Sequence, residues 1–208
     1  MAGCRRIMEV IDKHTGLFDK IANVYGWFFH RQRKGYEIAL KRLNETEDLS
    51  SIRKVLDVGC GTGALCSVYA KNGYQTFGID SSQKMLLQAK KRTKGLPVDF
   101  KQASVANDLP FKDSSMDMVS ASFVAHGLPK DLRLKMLGEM NRISNNLVIL
   151  IEFNQTRRWY IDLIEWVEHG DYFNFIRTID SELSTIFASV KKVQLNATSC
   201  IYVCKKIR

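Results

Sequence analysis

Two rhythms of apolar and polar positions alternate between residues 54 and 153. Short apolar runs at 54–58 (KVLDV), 75–79 (QTFGI), 98–100 (VDF), 116–121 (MDMVSA) and 147–153 (LVILIEF) predict strands, and the stretches between them at 62–72, 82–92 and 130–143 predict helices. Strand then helix, repeated, predicts an α/β architecture: a doubly wound, mostly parallel sheet with helices on both faces. Ahead of this region, 17–29 (LFDKIANVYGWFF) and 36–43 (YEIALKRL) space their apolar side chains by three and four, which predicts helices. Behind it, a helical pattern at 157–168 precedes VKKVQL and CIYVCKK, two strand candidates joined across NATS. Such a hairpin would add an antiparallel strand to the sheet. With no internal repeat and three prolines, the chain reads as one domain over 1–208: a helical N-terminal segment (1–44), a core (50–153) and a closing region (154–208).

Charge and cysteines narrow the classes. The formal charge of +9 raises nucleic acid or an anionic surface as a partner, but the basic clusters at 31–34 (RQRK) and 90–94 (KKRTK) are short and acids lie between them. A solvated basic surface is the expectation, with nucleic acid a secondary one. The five cysteines, at 4, 60, 66, 200 and 204, show neither a CxxC nor a Cys/His spacing, so free thiols and no metal site are expected. The aliphatic run 147–151 (LVILI) is too short to span a bilayer and the N-terminus has no apolar segment of secretory length. A cytoplasmic protein is expected, and the Asn-x-Thr sequences at Asn44 and Asn196 are read as chance.

The first strand ends in Gly59-Cys60-Gly61-Thr62-Gly63. Alternating glycines weaken any regular element, so this turn must serve a close backbone approach. In a doubly wound sheet the first strand-to-helix turn is where a ligand meets the main chain. The spacing is not the G-x-G-x-x-G of dinucleotide sites, nor the G-x-x-x-x-G-K-[ST] that cradles phosphates.

VLDVGCGTG, with Asp57 two residues before the first glycine, resembles the first motif of the class I S-adenosylmethionine-dependent methyltransferases. The resemblance continues. TFGID ends in Asp80, where that family carries an acid for the ribose hydroxyls, and Ser81 or Ser82 would cap the helix that follows. NDLPFKDSSMDMVSASFVAHGL (107–128) and FDKIANVYGWF (18–28) resemble segments of the ubiquinone and menaquinone-biosynthesis type of small-molecule methyltransferase. The resemblance implies a Rossmann-like, seven-stranded sheet with a helical N-terminal lid, and S-adenosylmethionine as cofactor with S-adenosylhomocysteine as product. It implies cofactor contacts at Asp57, Gly59, Cys60, Gly61, Gly63, Asp80, Ser81, Met85, Ser104, Val105 and Ser120. Where the family has an acid for the adenine amino group, this chain reads Ser104-Val105, so that contact would be weaker, or made by backbone, or supplied by Asn107 or Asp108. Gly26 follows Tyr25 where an acid is usual, and NRISNN (141–146) replaces the loop before the fifth strand, shortening a surface connection.

Methyl transfer from a sulfonium needs mainly alignment of nucleophile and methyl carbon. A weakly acidic acceptor also needs a base, for which His126 is placed just past the fourth strand; a structural role for this histidine is the alternative. Tyr25 either caps the substrate or packs. The aromatic segment 154–176, with Trp159, Leu163, Trp166, Arg157 and Arg158, either lines an acceptor pocket or covers the sheet. Residues 1–44 are expected to form a mobile lid, with hinges at Gly16, Gly26 and Gly35. The function expected is methylation of a small molecule. Methylation of RNA or protein, or cofactor binding without catalysis, are the alternatives.

Overall fold

The computed structural model describes residues 29–154 and 172–206. Its centre is a seven-stranded sheet made of β1 (Lys54–Val58), β2 (Gln75–Asp80), β3 (Val98–Gln102), β4 (Met116–Ser122), β5 (Ser144–Phe153), β6 (Ser189–Gln194) and β7 (Ser199–Lys205). The strand order is β3-β2-β1-β4-β5-β7-β6. The first five strands are parallel and β7 runs antiparallel to both its neighbours. The chain reverses its direction of winding between β1 and β4, so the ends of these strands open a crevice. The expected hairpin is present; Asn196 closes it, its side-chain oxygen accepting from the amides of Thr198 (2.9 Å) and Ser199 (3.0 Å).

Period-two alternation divides the core into two layers. Val55, Met118, Leu147, Ile149, Ile151, Ile201 and Val203 face one side, where they meet Ala39, Leu40 and Leu43 of α1 (29–46) and Leu65, Val68 and Tyr69 of α2 (Ala64–Lys71). Leu56, Val58, Val119, Ala121, Val148, Leu150 and Tyr202 face the other, against Met136, Leu137 and Met140 of α4 (Lys130–Ile143) and Phe175, Ile179 and Leu183 of α5 (Tyr172–Ile186). Between them in sequence, α3 (Gln83–Arg92) lies beside α2, where Leu86, Cys60, Cys66, Val98 and Phe100 form a smaller cluster.

Three expectations change in detail. Residues 29–44, the described part of the expected N-terminal lid, are held in the packed body by Ala39, Leu40 and Leu43, and Gly35 lies within the continuous helix α1 and is no hinge there. The connection at NRISNN is shorter than a loop, because α4 ends at Ile143 and β5 starts at Ser144. Helix α5 was not anticipated, although Tyr172, Phe175, Ile176, Ile179 and Leu183 carry the spacing of three and four that predicts it. Tyr25, Trp27, Phe28, Gly16 and Gly26, with Arg157, Arg158, Trp159, Leu163 and Trp166, lie outside the described residues. Among the described residues no helix is long and apolar enough to cross a membrane.

Candidate active site at the strand ends

The glycines that end β1 have three different neighbourhoods. All are left-handed, with φ of 71° at Gly59, 52° at Gly61 and 77° at Gly63. A Cβ on Gly59 would lie 2.5 Å from Cγ2 of Val124, so this glycine lets the segment after β4 press against the loop. On Gly63 it would meet Ala89 at 3.0 Å and Phe100 at 3.2 Å, which makes that position a packing site for α3. At Gly61, none of the described residues comes within 4 Å of such an atom. Its bare face is the one a ligand can approach.

Main-chain bonds hold the loop in place. The amides of Gly59 and Cys60 both donate to the Ile79 carbonyl, at 2.8 and 2.9 Å, which ties the loop to β2. One residue on, Asp80 receives the Gly61 amide on Oδ2 and the Ser82 amide on Oδ1, each at 2.8 Å. A single half-buried carboxylate therefore joins the glycine loop to the start of α3. The cap of α3 is Ser82, whose hydroxyl accepts from the Met85 amide at 3.1 Å; of the two serines it is the second that serves. At Ser81 the backbone carbonyl takes a bond from Gln102, at 2.8 Å, and Met85 is buried in the first turn of α3.

Several residues expected to touch a cofactor lie beneath the loop. Asp57 is 1% exposed and Ser120 is 0% exposed. The Ser120 hydroxyl donates to Asp57 Oδ1 at 3.1 Å and the Cys66 thiol to Oδ2 at 3.5 Å, so Asp57 and Ser120 are buried beneath the loop and bonded to each other. Burial pushes the Asp57 carboxyl up to about 7, the hydrogen bonds from Ser120 and Cys66 oppose that shift, and the charge of Asp80 adds to it. Cys60 turns its thiol inward toward Cys66 and Phe100, and burial raises it; only its main chain borders the loop surface. After β3, Ser104 and Val105 are half-buried. Ser104 accepts from the Ala106 amide at 3.3 Å, and Val105 packs on the main core. Asn107 is exposed, and Asp108 faces Lys135 at 3.4 Å.

Across the crevice, β4 ends at Ser122, whose hydroxyl donates to the Tyr36 hydroxyl of α1 at 2.5 Å. Phe123 follows with a φ of 53°, unusual for a residue with a side chain, and Ala125–Gly127 form a turn of 3₁₀ helix. His126 sits on this turn, buried, with Nδ1 2.8 Å from Oε2 of Glu152 on β5. Glu152 is 1% exposed and also accepts from the amides of Ala125 (2.8 Å) and His126 (3.4 Å). The rings of Phe153, Phe175 and Phe123 stand edge-on around the imidazole at centroid distances of 4.9, 6.3 and 6.4 Å. Sequence reasoning singled out His126 and missed Glu152, which stands at the end of an apolar strand; an acid in such a run is the signal that could have found it.

A strand-end glycine loop, an acid closing the second strand and this sheet order make the chain similar in fold to the class I, S-adenosylmethionine-dependent methyltransferases. The family model described as a methyltransferase domain matches residues 55–146. Curated relatives include the demethylmenaquinone methyltransferases of Staphylococcus aureus strain MRSA252, 30% identical over 160 residues and 74% of this chain, and of Staphylococcus saprophyticus, 26% identical over 156 residues and 72% of this chain. The chain spans 63% of the length of each of them. Among solved structures, the methyltransferase domain of a bacterial Hen1 shares the fold with a TM-score of 0.65 at 18% identity, over 85% of this chain and all of that one. Magnesium protoporphyrin IX methyltransferase from Synechocystis, solved with bound S-adenosylhomocysteine, does so with a TM-score of 0.56 at 18% identity, over 94% of this chain and 84% of that one.

Proposed function

We propose that the protein binds S-adenosylmethionine between the glycine loop and Asp80 and transfers its methyl group to a small-molecule acceptor. The observation that carries this reading is the left-handed Gly61, clear of every described residue on the side where a side chain would stand and hydrogen-bonded through its amide to Asp80. A ligand with vicinal hydroxyls suits that carboxylate, which can accept two hydrogen bonds at once. When bound, the cofactor supplies an already activated methyl group. The chain's own part is to hold the ribose through Asp80, to keep the loop open at Gly61, and to place the acceptor beside the His126 turn. Gly59 and Gly63 contribute by letting Val124 and α3 pack close. A cytoplasmic setting accompanies this reading, and the names of the staphylococcal relatives make a demethylated naphthoquinol the first acceptor to test.

The test is calorimetric titration with S-adenosylhomocysteine. The wild-type protein is expected to bind, and Asp80→Ala to lose on the order of 1.5–3 kcal/mol, the range for a hydrogen bond to a charged group, with Asp80→Asn losing less. Equal binding by all three proteins would remove Asp80 from the cofactor site. No binding by the wild type would defeat the reading as a whole.

A further inference from the structure

The two short basic clusters at 31–34 and 90–94 are far apart in the chain and meet in the structure. Phe29, buried at the start of α1, lies under the guanidinium of Arg92 in the last turn of α3, with the guanidinium carbon 5.4 Å from the ring centroid. The first turns of α1 and the end of α3 therefore form one surface. Arg31 and Lys34 are exposed on the α1 side of it, and Lys90, Lys91 and Lys94 on the α3 side. Neither 29–36 nor 83–95 contains an acid. Glu37, the next acid along α1, is drawn to Arg33 at 3.3 Å. On β3, beneath α3, it is Phe100 that packs toward the helix, so its neighbour Asp99 turns to the other face of the sheet. Like charges gathered in this way repel one another, and the fold gains nothing from bringing them together.

The outer face of α3 is not purely charged. Met85, Leu86 and Ala89 are its buried residues, and the opposite stripe carries Lys84, Leu87 and Lys91 at spacings of three and four, with Lys94 continuing the line. Leu87 is 57% exposed. An exposed leucine among lysines separates the classes of anionic partner. Nucleic acid attracts the positive charge, but it is held besides by aromatic rings stacked on bases and by hydrogen bonds to base edges. Leu87 offers neither, and the ring at this surface, Phe29, is 4% exposed. A bilayer with anionic headgroups uses both parts of the face: lipid phosphates meet the lysines, while the leucine and the lysine stems enter the boundary with the acyl chains.

We propose that the outer face of α3, together with the first turns of α1, is a docking surface for an anionic lipid bilayer, with Leu87 as its apolar anchor. The mode is peripheral, a helix lying on the headgroups with its charged and apolar side chains engaged together. Ala89, on the inner side of the same helix, lies against Gly63 of the glycine loop, so the docking face and the loop share α3 as a common support. Binding of this kind needs neither cofactor nor methyl acceptor, and its test is independent of the methyl-transfer reading.

Vesicle sedimentation with the full chain tests the surface. The wild type is expected to sediment with vesicles of equal parts phosphatidylcholine and phosphatidylglycerol, to stay in solution with phosphatidylcholine alone, and to be released by added salt, which screens exposed charges. Lys90→Gln with Lys91→Gln should lower the partition coefficient by about 25-fold, roughly fivefold for each charge. Leu87→Ser should lower it by about tenfold, and Leu87→Trp should raise it, since indole favours the interface. Lys191→Gln with Lys192→Gln removes the same charge from β6, at the opposite edge of the sheet, and should change binding by less than about twofold. All five positions are exposed, so the fold is not at stake in these variants. Equal losses from the two lysine pairs would reduce the effect to net charge and overturn the surface. Unchanged binding by Leu87→Ser overturns the anchor, and a wild type that ignores anionic vesicles, or binds neutral ones equally, overturns the bilayer as partner. So does a transfer RNA that binds more tightly than the anionic vesicles and is lost with Lys90 and Lys91, which would assign the surface to nucleic acid.

Discussion

The glycine loop at 59–63 and the histidine turn at Ala125–Gly127 meet where Val124 packs on Gly59, and they are built by different means. The loop is made of main-chain atoms, held by Ile79 and Asp80 of the very next strand; Gly61 and Asp80 are 19 positions apart. The turn is made of side-chain bonds drawn from further along the chain, with 26 positions between His126 and Glu152 and 49 between Arg133 and Glu182. A site built on backbone needs only the right conformations, and glycine supplies those locally. A site built on buried charged groups needs every partner present at once, because one missing partner leaves a desolvated charge.

That difference sets the size of the expected effects. Arg133→Met should be the most damaging, since it strands Glu182, which is 4% exposed, inside α5 and frees the carbonyls of the turn. A loss of about 3–5 kcal/mol is expected in denaturant unfolding. The double variant Arg133→Met with Glu182→Leu should recover a large part of it. If the double variant is no more stable than the single one, the cost lies in the turn carbonyls and not in the stranded acid.

The loop side has its own buried acid, and it behaves in the opposite way. Asp57 ordinarily titrates near 3.8 and burial raises it to about 7, so the folded protein binds a proton that the unfolded chain releases. Stability therefore falls as pH rises between these two values and levels off above about 7. The total is on the order of 4 kcal/mol at roughly 1.4 kcal/mol for each pH unit of difference. Asp57→Asn should flatten this part of the profile, as read by chemical denaturation at pH 5, 6, 7 and 8. Parallel profiles for wild type and variant would mean that Asp57 stays ionised in its pocket.

The smallest effects should separate two glycines within the loop itself. Gly59→Ala drives a Cβ to 2.5 Å from Val124 at a left-handed φ, and about 1–3 kcal/mol of stability should go with it. Gly61→Ala meets none of the described residues, so the left-handed strain is the expected cost, about 1 kcal/mol. Its S-adenosylhomocysteine affinity should fall by more than its stability does. The reverse ranking, with Gly61→Ala the less stable protein and binding unimpaired, would make the open face at Gly61 irrelevant to the ligand.

Local patterns made much of this legible in advance. The strand at 54–58 and the helix at 130–143 have the same limits in the structure as in the periodicity, and the glycine turn is the left-handed loop between β1 and α2. Asp80 could be picked out because it lies at a strand end next to that loop. Each of these features is decided by residues that are neighbours in the chain, where side-chain spacing and backbone preference act directly.

Other assignments waited for the sheet. LVILIEF is apolar at every position but one, so its pattern does not say which face Glu152 takes; pairing of Glu152 with Cys200 in β7, and of Ile151 with Ser122 in β4, decides that. A slip of one residue would have turned the acid to the opposite layer, away from His126. The same register buries Asp57 beside Ser120, and the docking of α5 on α4 brings Glu182 to Arg133. The sequence by itself determined the elements and the backbone-built half of the site, because those depend on short-range geometry. Only the tertiary structure decided the charged half, because the partner of a buried charge is chosen by strand register and helix packing across the whole sheet.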